Sequence, residues 1–422
     1  MRRTTRRRPP PILETTIRVH VDTIAAGGDG VARVEGLVVF VPRSAPGDDI
    51  TVRARKHASL ARGEITSIET PSPDRTDPPC RHYTRDKCGG CQLQHMTYDA
   101  QLRAKRGIIS DAFERIAKLP IAPPDVVASP AEWRYRRKLT LAMRREGGEW
   151  IMGLHPYDAP AAVFDLEDCP ITDERVLAIW KEVRAASRDL PEADELRAAV
   201  RLLDDGAALV VEGGSHWPAH ERFANAVPSV SAIWWQREKG RPRLLHDRRA
   251  SPQPGASFAQ VNPGMAAELQ RYAVELTMRY APGQVLDAYA GSGDTADAIA
   301  RRGARVLAIE SDEDAARWCA RRLPEGSRVV TSTVEDAIAD ALPADVVLLN
   351  PPRAGLDARV ASALADASQR PRAIIYISCN PATLARDVAR LVGFRIVSVK
   401  AFDMFPQTAH VETVCEMVPE VA

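Results

Sequence analysis

The chain has no run approaching the roughly 18 consecutive apolar residues that a membrane-spanning helix requires, and its first residues lack the apolar stretch of a secretory signal. These two absences set aside a membrane span and export, so the expected location is the cytoplasm. A surplus of one charge is missing too: 57 Lys and Arg stand against 56 Asp and Glu, for a net +1. That excludes a protein basic all over while leaving room for a local basic face. Cysteine is scarce and odd in number, seven in 422 residues, which fits a reducing compartment and not a disulfide framework. Residues 133–250 show no internal repeat. What remains is ordinary soluble composition, 45% apolar and 27% charged. The chain is too long for one hydrophobic core, so two or three domains are expected.

Changes of pattern delimit those domains. The opening MRRTTRRR carries five arginines and runs into Pro9, Pro10 and Pro11. Residues 1–11 therefore read as a disordered basic arm that attracts phosphate only non-specifically. Residues 12–70 alternate polar and apolar side chains, as in TIRVHVDTI and LVVFVP, with turns at Gly27-Gly28-Asp29-Gly30 and Pro46-Gly47-Asp48. This predicts a small β-barrel. PSPDRTDPP ends it and opens a mixed α+β middle region, 71–255. Within that region Leu102, Ile109, Phe113 and Ile116 recur at helical spacing, predicting an amphipathic helix from Tyr98 to Leu119. From 256 to 422 strand and helix alternate, the pattern of an open, Rossmann-like parallel sheet. VLDAYAG, RVLAIES, ADVVLLNPP and AIIYISCNP read as its strands, and FRIVSVKAF with VETVCEMV as a terminal antiparallel pair. The chain is thus multidomain, with α/β architecture in its C-terminal part. Ligands of such sheets bind outside the carboxyl ends of the strands.

Asp287-Ala-Tyr-Ala-Gly291-Ser-Gly293 lies where the first of these strands gives way to a helix, and glycines there let backbone approach a ligand closely. Glu310 ends the next strand, where an acid accepts hydrogen bonds from ribose hydroxyls. The third, phosphate-binding glycine of dinucleotide enzymes is missing, since Ala296 and Asp297 follow Thr295. That absence favours S-adenosylmethionine, which has no phosphates; the plainer reading is a tight turn. Asn350-Pro351-Pro352-Arg353 ends a further strand, and its prolines fix an extended loop that points Asn350 at the same pocket. A similar Asn-Pro-Pro-aromatic loop serves enzymes that methylate exocyclic amines, but here Arg353 replaces the stacking aromatic.

Cys379 follows on the same rim. The usual fate of a cytosolic cysteine is inert packing, yet a thiolate facing a methyl donor meets a specific need. Carbon 5 of uracil is too weak a nucleophile to attack a sulfonium methyl until a thiolate has added to carbon 6. Removing the carbon-5 proton afterwards takes a base, and Glu412 reaches that place if the terminal hairpin folds back over the site. On spacing alone it would be a surface carboxylate. Further upstream, Cys80, Cys88-Gly89-Gly90-Cys91 and the distant Cys169 supply four soft ligands, suited to zinc or to an iron–sulfur cluster. Three cysteines so close together beside two glycines are hard to explain by packing.

Taken together these residues resemble the bacterial ribosomal RNA uridine-C5 methyltransferases that carry an N-terminal TRAM domain, a family related to the transfer RNA uridine methyltransferase. The similarity covers nearly the whole chain. GGDGVARVEGLVVFVPRSAPGD resembles the TRAM barrel, an oligonucleotide-binding type of β-fold. CGGCQLQHMTYDAQLRAKR resembles the family's cluster region, and implies a 4Fe-4S cluster on Cys80, Cys88, Cys91 and Cys169. SFAQVNPGM resembles the opening of the class I methyltransferase domain. The resemblance implies S-adenosylmethionine contacts from Gln260, Tyr289, Asp294, Glu310 and Asn350, a nucleophile at Cys379 in SCNPATLARD, and a base at Glu412 in AHVETV. It further implies an RNA substrate, ribosomal RNA before transfer RNA, and a monomeric enzyme.

The sequence departs from the family in three places. Asn350 stands where an aspartate is usual, Asp294-Thr295 where an asparagine and a bulky apolar residue are usual, and the first two cluster cysteines are farther apart than is common. These changes bear on substrate and rate more than on reaction type. Two other functions fit parts of the pattern: an exocyclic-amine methyltransferase, which needs no cysteine nucleophile, and a non-catalytic RNA-binding protein that keeps the fold.

Overall fold

The computed structural model describes residues 13–238, 240–251, 253–366 and 370–420; the expected basic arm lies outside them. Period-two alternation builds the first unit. β1 (Leu13–Ile24), β2 (Gly30–Val34), β3 (Leu37–Val41), β4 (Asp49–His57) and β5 (Leu60–Thr70) close into a barrel in the order β1-β2-β3-β5-β4. Val21, Val39, Val41, Ile50 and Val52 fill its interior. Asp48 fastens the barrel to the segment that follows: its buried carboxylate accepts from Arg75 at 2.7 Å and from the Ser72 amide at 2.9 Å.

After the short α1 (Arg81–Thr84), α2 (Tyr98–Ala112) runs on into one wider, π-helical turn over Phe113–Ala117. That turn rotates Ile116 into solvent, 45% exposed, while Phe113 stays buried. The helix matches expectation, and of its expected apolar line Ile109 and Phe113 are buried, Leu102 is half-buried and Ile116 is exposed. The buried positions are Ala100, Gln101, Lys105, Ile108, Ile109 and Ala112. Two of them are polar because this face meets a loop with polar groups of its own. Lys105 forms an ion pair with Asp403, both side chains fully buried, and donates to the Phe405 carbonyl at 3.1 Å. Gln101 donates to Gln407 Oε1 and accepts from the Gln407 amide, each at 2.9 Å. β6 (Asp125–Val127) then joins the C-terminal sheet. Residues 98–127, which the pattern of the sequence groups with the middle region, thus pack as part of the C-terminal layer.

The middle sheet has the order β13-β12-β11-β10-β7-β8-β9. Its strands are β7 (Lys138–Glu146), β8 (Glu149–Leu154), β9 (Phe164–Asp165), β10 (Glu195–Leu203), β11 (Gly206–Glu212), β12 (Ala232–Gln236) and β13 (Arg243–Asp247). Leu139, Leu141, Val200 and Leu209 on one face pack with Trp180 of α3 (Glu174–Ala185) and Phe223 of α4 (His220–Ala226).

The C-terminal unit alternates α5 (Pro263–Arg279), β14 (Gln284–Ala288), α6 (Asp294–Ala300), β15 (Arg305–Glu310), α7 (Glu313–Arg322), β16 (Arg328–Thr331), α8 (Val334–Ala341), β17 (Val346–Leu349), α9 (Ala358–Asp366), β18 (Ala373–Ser378) and α10 (Pro381–Arg390). β19 (Phe394–Phe402) and β20 (Glu412–Pro419) complete it. The sheet order is β16-β15-β14-β17-β18-β20-β19-β6, with β14 to β18 parallel and β20 antiparallel between β18 and β19. Every residue of β17 and β18 is buried, as a sheet covered on both faces demands. No helix among the described residues is long and apolar enough to cross a membrane.

Removing one member of the buried Lys105–Asp403 pair leaves an uncompensated charge in the interior. Lys105→Met should therefore lower stability by about 3–5 kcal/mol, and Lys105→Met combined with Asp403→Leu should recover most of that loss. Denaturant titration of the three proteins measures both effects.

Candidate active site

The carboxyl ends of the parallel strands converge on one rim. At the end of β14 the chain turns through three left-handed positions, Tyr289 at φ +67, Gly291 at +56 and Gly293 at +79. The two glycines serve different ends. A Cβ at Gly291 would meet nothing within 4 Å, so this position opens toward the ligand side, whereas a Cβ at Gly293 would overlap the buried Cys319 side chain of α7. Close helix packing, and not ligand approach, therefore accounts for Gly293. Glu310 Oε2 accepts the Gly291 amide at 2.7 Å and Oε1 accepts the Asp312 amide at 2.7 Å, which locks the acid against the turn. Asp287 is buried, and its Oδ2 has no hydrogen-bond partner among the described residues. Burial, with the Glu310 and Asp294 carboxylates nearby, pushes its pKa up to about 7. An orphaned buried carboxylate beside an open glycine turn suits a ligand that brings a cation and ribose hydroxyls, which S-adenosylmethionine does.

The remaining expected cofactor contacts surround this turn unevenly. Asn350 is exposed at the end of β17, its amide donating to the Ala288 carbonyl at 3.3 Å. Tyr289 is half-buried and packs against the core. Gln260 is half-buried in the loop before α5, next to Val261, whose carbonyl takes the Arg137 amide at 2.8 Å. Asp294 is engaged elsewhere: its carboxylate pairs with Arg322 of α7.

The reactive groups meet one strand further along. Cys379 is half-buried immediately after β18 and just ahead of α10, whose first turn is capped by Asn380 accepting the Ala382 amide at 3.0 Å. β20 runs antiparallel to β18 with Thr413 opposite Ser378, so Glu412 and Cys379 are neighbours across the pair. Burial pushes the Cys379 thiol up and the Glu412 carboxylate pushes it further, while the nearby Arg353 guanidinium draws it back. Glu412 is 3% exposed; burial raises its pKa to about 7 against the pull of Arg353. Thiol, guanidinium and buried acid form one constellation.

Arg353 is the residue that sequence reasoning passed over, since it registered only as a missing aromatic. The signal was a cation placed directly after two rigid prolines. Its loop is held from α10: Arg386 donates to the Ala354 carbonyl at 2.7 Å, and the buried Asp387 accepts the Leu356 amide and the Tyr376 hydroxyl, both at 2.8 Å.

Cys80, Cys88, Cys91 and Cys169 lie apart from this rim and line a single cavity of about 140 Å³, together with Tyr83 and Arg136. All four thiols are free, and the Gly90 amide points at Cys88 Sγ at 3.4 Å. Yet among the described residues no three His, Cys, Asp or Glu side chains are grouped closely enough to hold a metal ion. The expected metal site is thus met by a shared cavity and not by a ready coordination shell.

Fold and rim define a class I methyltransferase preceded by a barrel of the oligonucleotide-binding type. Residues 14–64 match the family model of the TRAM domain, and residues 331–417 that of tRNA (uracil-5-)-methyltransferase. An uncharacterised RNA methyltransferase of Protochlamydia amoebophila is 30% identical over 435 residues, covering 96% of this chain and 98% of that one. Another, of Halalkalibacterium halodurans, is 29% identical over 443 residues, with 94% and 96% covered. The crystal structure of Pyrococcus abyssi tRNA (uracil-54, C5)-methyltransferase in complex with S-adenosyl-L-homocysteine superposes with a TM-score of 0.71 at 26% identity, over 95% of this chain and 99% of that one. The chain belongs to the S-adenosylmethionine-dependent RNA (uracil-5-)-methyltransferase family.

The raised pKa of Glu412 has a consequence for stability. Below its ordinary value of 4.5 the group is protonated whether the chain is folded or not, and between there and about 7 only the folded chain keeps the proton. Stability therefore falls as pH rises through this window and levels off above it. Glu412→Gln should melt higher than the native protein at pH 8 and level with it at pH 4. An equal shift at both pH values would assign the change to packing and not to ionisation.

Proposed function

We propose that the protein methylates carbon 5 of a uridine in a structured RNA through a covalent adduct on Cys379, which Glu412 resolves. The observation that supports this reading is the meeting of a thiol, a guanidinium and a buried carboxylate on the rim that also carries the glycine turn. Arg353 holds the Cys379 thiolate, which adds to carbon 6 of the uracil and leaves an enolate with electron density at carbon 5. Bound S-adenosylmethionine supplies a methyl group on a sulfonium, which that carbon accepts. Glu412, with a pKa of about 7, is tuned to take the carbon-5 proton near neutral pH. Loss of that proton restores the ring double bond as the Cys379 thiolate leaves carbon 6. Gln260, Tyr289, Asp294, Glu310 and Asn350 are the cofactor contacts in this reading, and a cytoplasmic monomer is its setting. An exocyclic-amine methyltransferase would leave Cys379 and Glu412 without a task.

The cysteine cavity would hold a 4Fe-4S cluster through Cys80, Cys88, Cys91 and Cys169. Four soft thiols suit zinc as well as an iron–sulfur cluster, and it is the family resemblance that favours the cluster. When bound it would cross-link the cysteine segments, with no electron passed to the methylation site. The family resemblance favours ribosomal RNA as substrate. Transfer RNA is the second reading, favoured by the Pyrococcus abyssi relative, whose own substrate it is. Mapping 5-methyluridine in both RNAs from cells with and without the gene decides between them.

The division of labour is open to direct test. Glu412→Gln should add, methylate and then stall, so an RNA adduct that survives denaturing electrophoresis and carries label from the methyl donor accumulates. Cys379→Ala should give neither adduct nor product, alone or combined with Glu412→Gln. Turnover by Cys379→Ala, or its capture by 5-fluorouridine RNA, would return the choice to the amine-methylating reading. Protein purified without oxygen should in turn be brown and carry about four irons per chain. A colourless protein with one zinc would reject the cluster.

A further inference from the structure

The middle sheet carries an arrangement that folding alone disfavours. β7 and β10 are antiparallel, and their register sets Lys138 directly opposite Arg201. Like charges in that position repel and weaken the pair. Both side chains are half-buried, and among the described residues neither is ion-paired. Of the acids that act on them, Glu212 is taken by Arg197 at 2.9 Å and Asp294 by Arg322, while Asp204, in the turn between β10 and β11, acts on Arg201 without forming an ion pair with it. A third cation joins them, since Arg136 donates its Nε–H to the Lys138 carbonyl at 2.9 Å.

The position of this pair is informative. Lys138 and Arg201 lie on the face of the sheet opposite Leu139 and Val200, which are packed in the core. Their neighbours on the same face are Ala199 opposite Thr140 and then Arg197 opposite Ala142, so a further cation lies two pairs along the sheet. Arg201 donates to the Ser257 carbonyl at 2.8 Å, and the Arg137 amide donates to Val261. The pair therefore borders the loop that carries Gln260 and the 75% exposed Phe258.

We propose that Lys138 and Arg201 form a phosphate grip for the RNA strand beside the target uridine. Two directly opposed cations, neither of them ion-paired among the described residues, at the edge of the cofactor loop, are complementary to a nucleic-acid backbone. The identity of the anion rests on the RNA-methyltransferase reading above.

The test uses the full-length protein and a fluorescent single-stranded oligouridylate as probe, titrated at several salt concentrations. Lys138→Met should bind roughly three- to tenfold more weakly in about 0.1 M salt, and its slope of log affinity against log salt should be shallower by about 0.7. Its melting temperature should hold or rise, because a repulsion is gone. Lys138→Glu creates an opposite-charge pair with Arg201, so it should melt higher still and bind more weakly still. Loss of stability with an unchanged salt slope would make the pair a packing device and overturn the proposal, as would native protein whose binding ignores salt. Methyl transfer by native protein to unmodified cellular RNA is assayed in parallel. Failure there, with the salt slope behaving as expected, would sink the methylation reading and leave the grip standing.

Discussion

The position of Glu412 against Cys379 depends on one strand pairing. β20 lies between β18 and β19, and only the register that sets Thr413 against Ser378 brings Glu412 beside Cys379. A slip of one residue would turn every side chain of β20 to the other face. Burial on both faces forbids it. Val414 belongs to one core, while Cys415 and Met417 belong to the other. Glu416 pins the alignment, accepting the Tyr280 hydroxyl at 2.8 Å and the Ser398 hydroxyl at 2.6 Å; moved to the opposite face, its charge would lie among apolar side chains with neither partner.

Register alone leaves the connection between β19 and β20 free, and the first half of the chain fixes it. The Gln92 and Leu93 amides, directly after Cys91, both donate to the Gln407 carbonyl, at 3.1 and 3.0 Å. Tyr135 donates to the Pro406 carbonyl at 3.0 Å, and Asn262, the cap of α5, to Met404 at 3.2 Å. With Lys105 of α2 on Asp403, residues from the cysteine segment, the middle region and the start of α5 all grip the loop that leads into Glu412. Such a loop is held still by hydrogen bonds that bury its own backbone groups, which would otherwise need water. The segment that lines the cysteine cavity is thus tied by backbone hydrogen bonds to the loop that precedes Glu412.

Much of this was legible in the sequence, for physical reasons. The buried parallel strands are continuous apolar runs, and each ends in the polar residue that forms the rim. The barrel strands announce themselves by alternation and turn glycines. Other features had no local signature. β6 is three residues long and exists only because β19 offers an edge. Helical periodicity found Ile109 and Phe113 on the inward side of this helix but not Gln101 and Lys105, which are polar and buried beside them. Lys105 and Asp403 look like surface charges until the fold brings them together. Arg353 gains its meaning only from Cys379 and Glu412, which the sheet supplies.

The buried lysine also bears on how the chain is made. Lys105 and Asp403 are 298 positions apart, so at ordinary rates of synthesis Lys105 waits roughly 15–60 s for its partner. During that interval the face of α2 that will be interior is open to water. An apolar residue there would be an adhesive patch on a nascent chain, whereas an ammonium group stays hydrated. The charge that costs desolvation in the finished protein is an ordinary hydrated group in the unfinished one.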